Sequence, residues 1–170
     1  MGASFSITYD VHGDEQVEHR LLGMGTRAIE GRPVLELIAE QMREAERDLF
    51  LTSGASAGEP WEPLKESTLR KKAAAGYPTA PNSVLIATSD LERSLTESGG
   101  DNIEWISDDE LIFGTSDPKA GFHADGTENM PARPPLAFSE LTLRTFTREI
   151  QRYIVGLEDG LGQDAPVWLR

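Results

Sequence analysis

The sequence predicts an α+β fold: a small antiparallel sheet packed against two long amphipathic helices, with long extended loops. Three observations carry this. Pro33–Phe50 and the stretch after Ser139 repeat apolar residues at spacings of three and four. Two short runs, Asn102–Ile106 and Glu110–Thr115, flank the turn residues Ser107, Asp108 and Asp109. Glycine- and proline-rich stretches without periodicity separate these segments.

In chain order, residues 4–11 alternate, with Phe5, Ile7, Tyr9 and Val11 on one side. That period of two predicts a strand with one buried face. Asp14 is placed to cap a helix running to about Ala28, with Val17, Leu21 and Leu22 turned inward. Gly23 and Gly25 weaken that helix, since glycine costs up to ~1 kcal/mol in a helix interior. Pro33–Phe50 is the clearest helix. A proline in its first turn needs no amide partner. Leu35, Ile38, Met42, Ala45 and Leu49 form its apolar stripe, and Glu36, Glu40, Arg43, Glu44 and Arg47 fill the other faces.

Residues 52–60 are small, polar and glycine-rich, which predicts a loop. A short basic helix is expected from Glu66 to Ala75, with Gly76 closing its end. Residues 77–83 form another loop, Val84–Ala87 a short apolar run, and 89–95 a helical turn capped by Ser89 or Asp90. After the hairpin, residues 116–135 mix prolines, glycines and no period, so a long irregular segment is expected there. Such segments usually contact a partner or a ligand. The last helix starts near Ser139, with Leu143, Phe146, Ile150, Tyr153 and Leu157 as its stripe. Residues 1–158 then form one domain and 159–170 a tail. Trp168 in that tail is expected to dock somewhere, because a large aromatic gains by burial.

The chain has 170 residues, enough to bury a substantial core. With 38% apolar and 26% charged residues it has an ordinary globular composition. It contains no cysteine, which excludes disulfides, thiolate metal sites and cysteine nucleophiles. No window approaches a membrane span, and the first residues lack the pattern of a secretory signal, so no membrane partner is expected. The net charge is −13. Affinity for DNA phosphates comes from lysine and arginine, so this balance argues against tight nucleic-acid binding. An acidic surface keeps a protein soluble, and it also lets DNA pass nearby without sticking.

Chemistry-bearing motifs are sparse. His12 and His19 have no carboxylate or second histidine at ligand spacing. His123 and Asp125 form a His-X-Asp pair that could hold a metal or polarise a water. Two ligands do not make a site, and a hydrogen-bonded loop histidine is the favoured reading. No GXSXG elbow, phosphate-binding glycine loop or dinucleotide motif is present. No cofactor and no catalytic residue is therefore expected. Lys65, Arg70, Lys71 and Lys72 cluster on the short basic helix, as a solvated face or as a patch for an acidic neighbour.

Four segments in order carry a resemblance: WEPLKESTLRKKAAAG, SVLIATSDLERSL, LIFGTSDPKAGFHADGT and MPARPPLAFS. Together they resemble the virion-morphogenesis or tail-completion family of tailed phages and the related neck proteins. The matching residues are Trp61, Pro63, Leu64, Thr68 and Leu69; then Leu85, Ser89, Leu91, Ser94 and Leu95; then Gly114, Thr115, His123, Gly126 and Thr127; then Met130, Pro131, Ala132, Arg133 and Pro134. Asp90 departs from the pattern where a glycine is usual, and so does the residue before His123, Phe122. The resemblance covers residues 30–157. It implies a non-enzymatic virion component, a tail-completion, tail-terminator or neck protein assembled in the host cytoplasm. It implies a homo-oligomeric ring, six-fold, meeting portal-proximal head-side proteins on one side and the tail tube protein on the other. Genomic DNA would pass through the lumen without specific binding. Trp61, Leu64, His123, Met130, Arg133 and Trp168 are the expected interface residues, with the Arg133 fork on an intersubunit carboxylate. Two other classes remain: a small hydrolase using His123 and Asp125, and an acidic DNA mimic. The mixing of acidic residues with arginines along both helices counts against the mimic.

Overall fold

The computed structural model of this protein describes residues 14–156. The strand expected at 4–11, His12 and Trp168 lie outside the described residues. In order, the elements are helix α1 (Asp14–Ile29), α2 (Arg32–Leu51), a 3-10 turn at Ala55–Ala57, α3 (Glu66–Ala74), α4 (Asp90–Thr96), strands β1 (Asn102–Ile106) and β2 (Leu111–Thr115), α5 (Lys119–Asp125) and α6 (Glu140–Val155). The fold is α+β, as the periodicities predict.

Helix α2 is the spine, because its apolar side carries both core clusters, one toward each end of the helix. Val34 and Ile38 join Phe146 and Tyr153 of α6 in one cluster, with Met42, Leu111, Phe138 and Ile150 packed around it. Leu49 and Phe50 join Trp61, Leu91 and Leu95 in a second cluster, flanked by Val84, Leu85, Ile86 and Phe113. Leu49, Phe50 and Leu95 are fully buried. Each such side chain contributes about 1.5–3 kcal/mol through burial. Edge-on aromatic pairs fix the geometry of each cluster: Phe50 with Trp61 at 5.5 Å, and Phe138 with Phe146 at 5.6 Å.

β1 and β2 pair antiparallel, Asn102 with Thr115 through Ile106 with Leu111. The Ser107 N–H closes the turn on the Glu110 carbonyl at 2.9 Å. This register puts Glu104, Ile106, Leu111 and Phe113 on the face toward α2 and α4, where Arg43 of α2 pairs with Glu104. Ile103, Trp105 and Ile112 fall on the opposite face and are exposed. The sheet is thus covered on one side by α2 and α4. α6 packs against α2 and α1.

Several expectations are corrected. Val17, Leu21 and Leu22 do not turn inward; they are 57–61% exposed, because α1 touches the body through its other side and near its C-terminal end. Leu143 of α6 is likewise exposed, since the buried stripe runs through Phe146 and Tyr153. α6 stops at Val155, where Gly156 takes a left-handed conformation. Ser139 does cap α6, accepting from the Thr142 N–H at 3.1 Å. Ser89 caps nothing with its side chain and instead holds φ at +64° ahead of α4. The 52–60 loop contains a 3-10 turn, and the 116–135 segment contains α5. Asp117 makes α5 possible: its buried carboxylate accepts from the Lys119 N–H at 2.9 Å, satisfying a donor at the helix start. Gly126, at φ +71°, ends it; a Cβ there would lie 2.7 Å from the Ala132 nitrogen.

Candidate functional site

The segments that carry the sequence signature fold against one another. Trp61 is 7% exposed, and its indole N–H donates to the Pro134 carbonyl at 3.1 Å. Arg133 is 4% exposed; its Nε donates to the Glu62 carbonyl at 2.8 Å and its Nη2 to the Pro63 carbonyl at 3.3 Å. Each strip therefore clasps the backbone of the other. Prolines make this clasp possible, because a proline-rich strip holds extended carbonyls and lacks amides to satisfy them locally. The expected intersubunit carboxylate for Arg133 meets a fork already engaged within its own chain.

Beside the clasp lies a hollow of about 310 Å³ lined by Leu64, Lys72, Ile86, His123, Met130 and Arg133 among others. Four of the expected interface residues, Leu64, His123, Met130 and Arg133, thus converge on one site, while Trp61 packs behind it in the core. Lys72 does not join a solvated basic face. It turns inward from α3, and its ammonium donates to the carbonyls of Ser83 at 2.6 Å and Ile86 at 2.7 Å. Burial lowers its pKa from the usual lysine value. Those two bonds tie α3 to the 83–86 strip and build one wall of the hollow.

His123 stands on α5 with its carbonyl accepting the Arg133 N–H at 2.6 Å. Its Nδ1 is buried without a hydrogen-bond partner. Burial first, then the positive charge of Arg133, hold the imidazole pKa below its usual value, with Asp117 opposing and Lys119 adding to the fall. The ring is therefore neutral near pH 7. Asp125 is exposed at the end of α5, and no hydrogen bond joins it to the ring. Among the described residues, no group of three or more His, Asp or Glu could hold a metal ion. What the hollow offers is mostly apolar wall with cationic groups, Arg133 buried and Lys72 half-buried, already on carbonyls, a surface suited to packing an aliphatic or aromatic segment.

Two further groups escape a reading of motifs. Glu46 is completely buried on α2, and Asp117 is 4% exposed. Asp117 ends a polar run from α4: Ser94 Oγ donates to the Leu91 carbonyl at 2.8 Å, Thr115 Oγ1 to Ser94 Oγ at 2.7 Å, and the Asp117 N–H to Thr115 Oγ1 at 3.0 Å. This run explains the conjunction of Ser94, Thr115 and Asp117 in two distant segments. Glu46 carried one signal, since it lies four residues after Met42 and four before Phe50, on the apolar side of its helix.

Residues 13–154 match the model of the phage virion morphogenesis family: the chain belongs to that family and has a role in phage morphogenesis. Among curated proteins it is similar to the Mu-like prophage FluMu G protein 1 of Haemophilus influenzae, with 31% identity over 114 residues, 67% of this chain and 73% of that protein. No solved structure matches. No helix among the described residues is long and apolar enough to cross a membrane.

Proposed function

We propose that this chain is a structural, non-enzymatic subunit of a ring at the head–tail junction of a phage or phage-derived particle, through which DNA passes. The observation that carries the reading is a set of apolar surfaces left open on a member of a virion-morphogenesis family. Val17, Leu21, Leu22 and Ile29 of α1 and Ile103, Trp105 and Ile112 of the hairpin are all exposed. Contiguous apolar patches on a soluble protein mark association surfaces. The charge of −13 supports the DNA part: a lumen without excess lysine and arginine has no counterions to release from the duplex and does not hold it. Portal-proximal proteins on one side and the tail tube protein on the other are the neighbours of such a ring.

The test is assembly state. Light scattering and electron microscopy of the purified chain, by itself and with portal-side and tail-side proteins, are expected to show closed rings of one stoichiometry, six copies in this reading. Monomers under every condition would overturn it.

A further inference from the structure

Two apolar surfaces of this chain are left open among the described residues. The first is the outer face of α1, where Val17, Leu21, Leu22 and Ile29 surround Gly25. The second is the outer face of the hairpin, where Ile103, Trp105 and Ile112 stand beside Gly114, which has nothing within 4 Å of where a Cβ would lie. Among the described residues, one is a helix stripe with no sheet against it and the other a sheet face with no covering layer. A helix laid on a sheet face is a common way of burying both.

The root of α1 is held in place. Gly31 N–H donates to the Asp108 carbonyl at 2.9 Å, at the hairpin tip. The Arg27 side chain donates to the Ile154 carbonyl at 3.0 Å, and the Tyr153 hydroxyl to the Glu30 carbonyl at 2.5 Å. Those three bonds pin the C-terminal end of α1 to the hairpin turn and to α6. From residue 15 to residue 22, by contrast, every residue is exposed. About two turns of helix are therefore not covered by any other element among the described residues. Swinging α1 over its own hairpin would break the two bonds that hold it to α6.

We propose that α1 of one copy lies across the outer hairpin face of a second copy, with Leu21 and Leu22 packed on Trp105. This inference rests on the ring reading and names its contact. Helix meets sheet, so the two sides of the contact differ, and each copy offers both. Such head-to-tail contacts propagate until rotation closes them, which makes a ring.

The cysteine-free sequence allows a direct test. A double variant, Leu21→Cys with Trp105→Cys, should give a ladder of cross-linked oligomers on treatment with a short bis-maleimide, joined through residues 21 and 105 by peptide mapping. Separately, Leu21→Glu and Trp105→Glu should each keep the monomer's melting curve and raise the concentration needed for assembly by about tenfold or more, as loss of a central contact residue does. Mixed one to one, these two variants should form dimers and stop, since each pair keeps one intact helix and one intact hairpin. Oligomers that persist in both variants, or that cross-link only 21 to 21 or 105 to 105, would overturn this inference and leave the ring reading standing. Two-fold dimers joined 21 to 105 would keep the inference and sink the ring. A parent chain that never associates would sink both.

Discussion

Replacing Glu46 by glutamine should stabilise this protein at neutral pH and remove a pH dependence that the parent shows. Glu46 sits on α2 with no exposed surface. One carboxyl oxygen accepts from the Ala137 N–H at 3.4 Å, and the other has no partner. Burial pushes its pKa from the ordinary 4.5 to about 8, with the Ala137 bond opposing. A carboxyl whose folded pKa is raised contributes its full stability below the unfolded pKa. Above 4.5 the unfolded chain releases the proton and the folded chain keeps it, so stability falls as pH rises. Each pH unit in that window costs about 1.4 kcal/mol, which reaches roughly 3 kcal/mol at pH 7. The loss ends near pH 8, where the folded form ionises too. Glutamine keeps the shape and the acceptor for Ala137 but has no proton to lose. Urea unfolding of both proteins from pH 5 to pH 8, at one protein concentration, isolates this site, because the other titrating groups cancel in the difference. The glutamine variant is expected to gain about 2–3 kcal/mol on the parent between pH 5 and pH 7. Parallel curves, or a gap that does not widen with pH, would refute the reasoning.

Other perturbations follow from the clasp and the anchored root of α1. Arg133→Ala strands the Glu62 and Pro63 carbonyls and should cost about 2–4 kcal/mol in chemical denaturation. Arg133→Lys should recover less than half of that, because an ammonium cannot reproduce the planar fork. Trp61→Phe loses the bond to Pro134 and keeps most of the ring packing on Phe50, so a loss of about 1 kcal/mol is expected, against about 3–5 for Trp61→Ala. Gly31→Ala places a Cβ 2.6 Å from the Asp108 carbonyl oxygen, a backbone atom with little room to move. That variant should lose amide-exchange protection at residue 31 and in α1 while the α2 core stays protected; unchanged protection in α1 would mean that the root is not held at the hairpin.

How much of this could be read from the residues varies with the source of each constraint. The hairpin, α2 and the Ser139 cap were legible because their signals are local: a turn between two apolar runs, an apolar stripe, a hydroxyl three residues before the amide it accepts. α5 was not, since glycine and proline around it argue against a helix, and nothing local marks the compensating carboxylate, Asp117, as buried. The direction of the apolar face of α1 is not legible for a related reason. Its amphipathic pattern shows that it has an apolar face but does not say what covers that face, and within one chain the answer is nothing among the described residues. The signature strips name Leu64, His123, Met130 and Arg133 as interface residues; in the structure these four line one hollow. The inward turn of Lys72 and the burial of Glu46 left no local mark beyond their place on a helix.

The sequence by itself determined the fold class, the two long helices, the hairpin and membership of a phage family, because period, turn chemistry and ordered motifs act over a few residues at a time. Tertiary structure decided which apolar face is buried and which stays open, that Trp61 and Arg133 clasp opposite strips, and that a carboxyl sits in the core. Those outcomes depend on contacts between residues far apart in the chain, such as Arg133 with Glu62 and Glu46 with Ala137. Burial, and the pKa that burial sets, belongs to the packed ensemble of neighbours and not to any one residue.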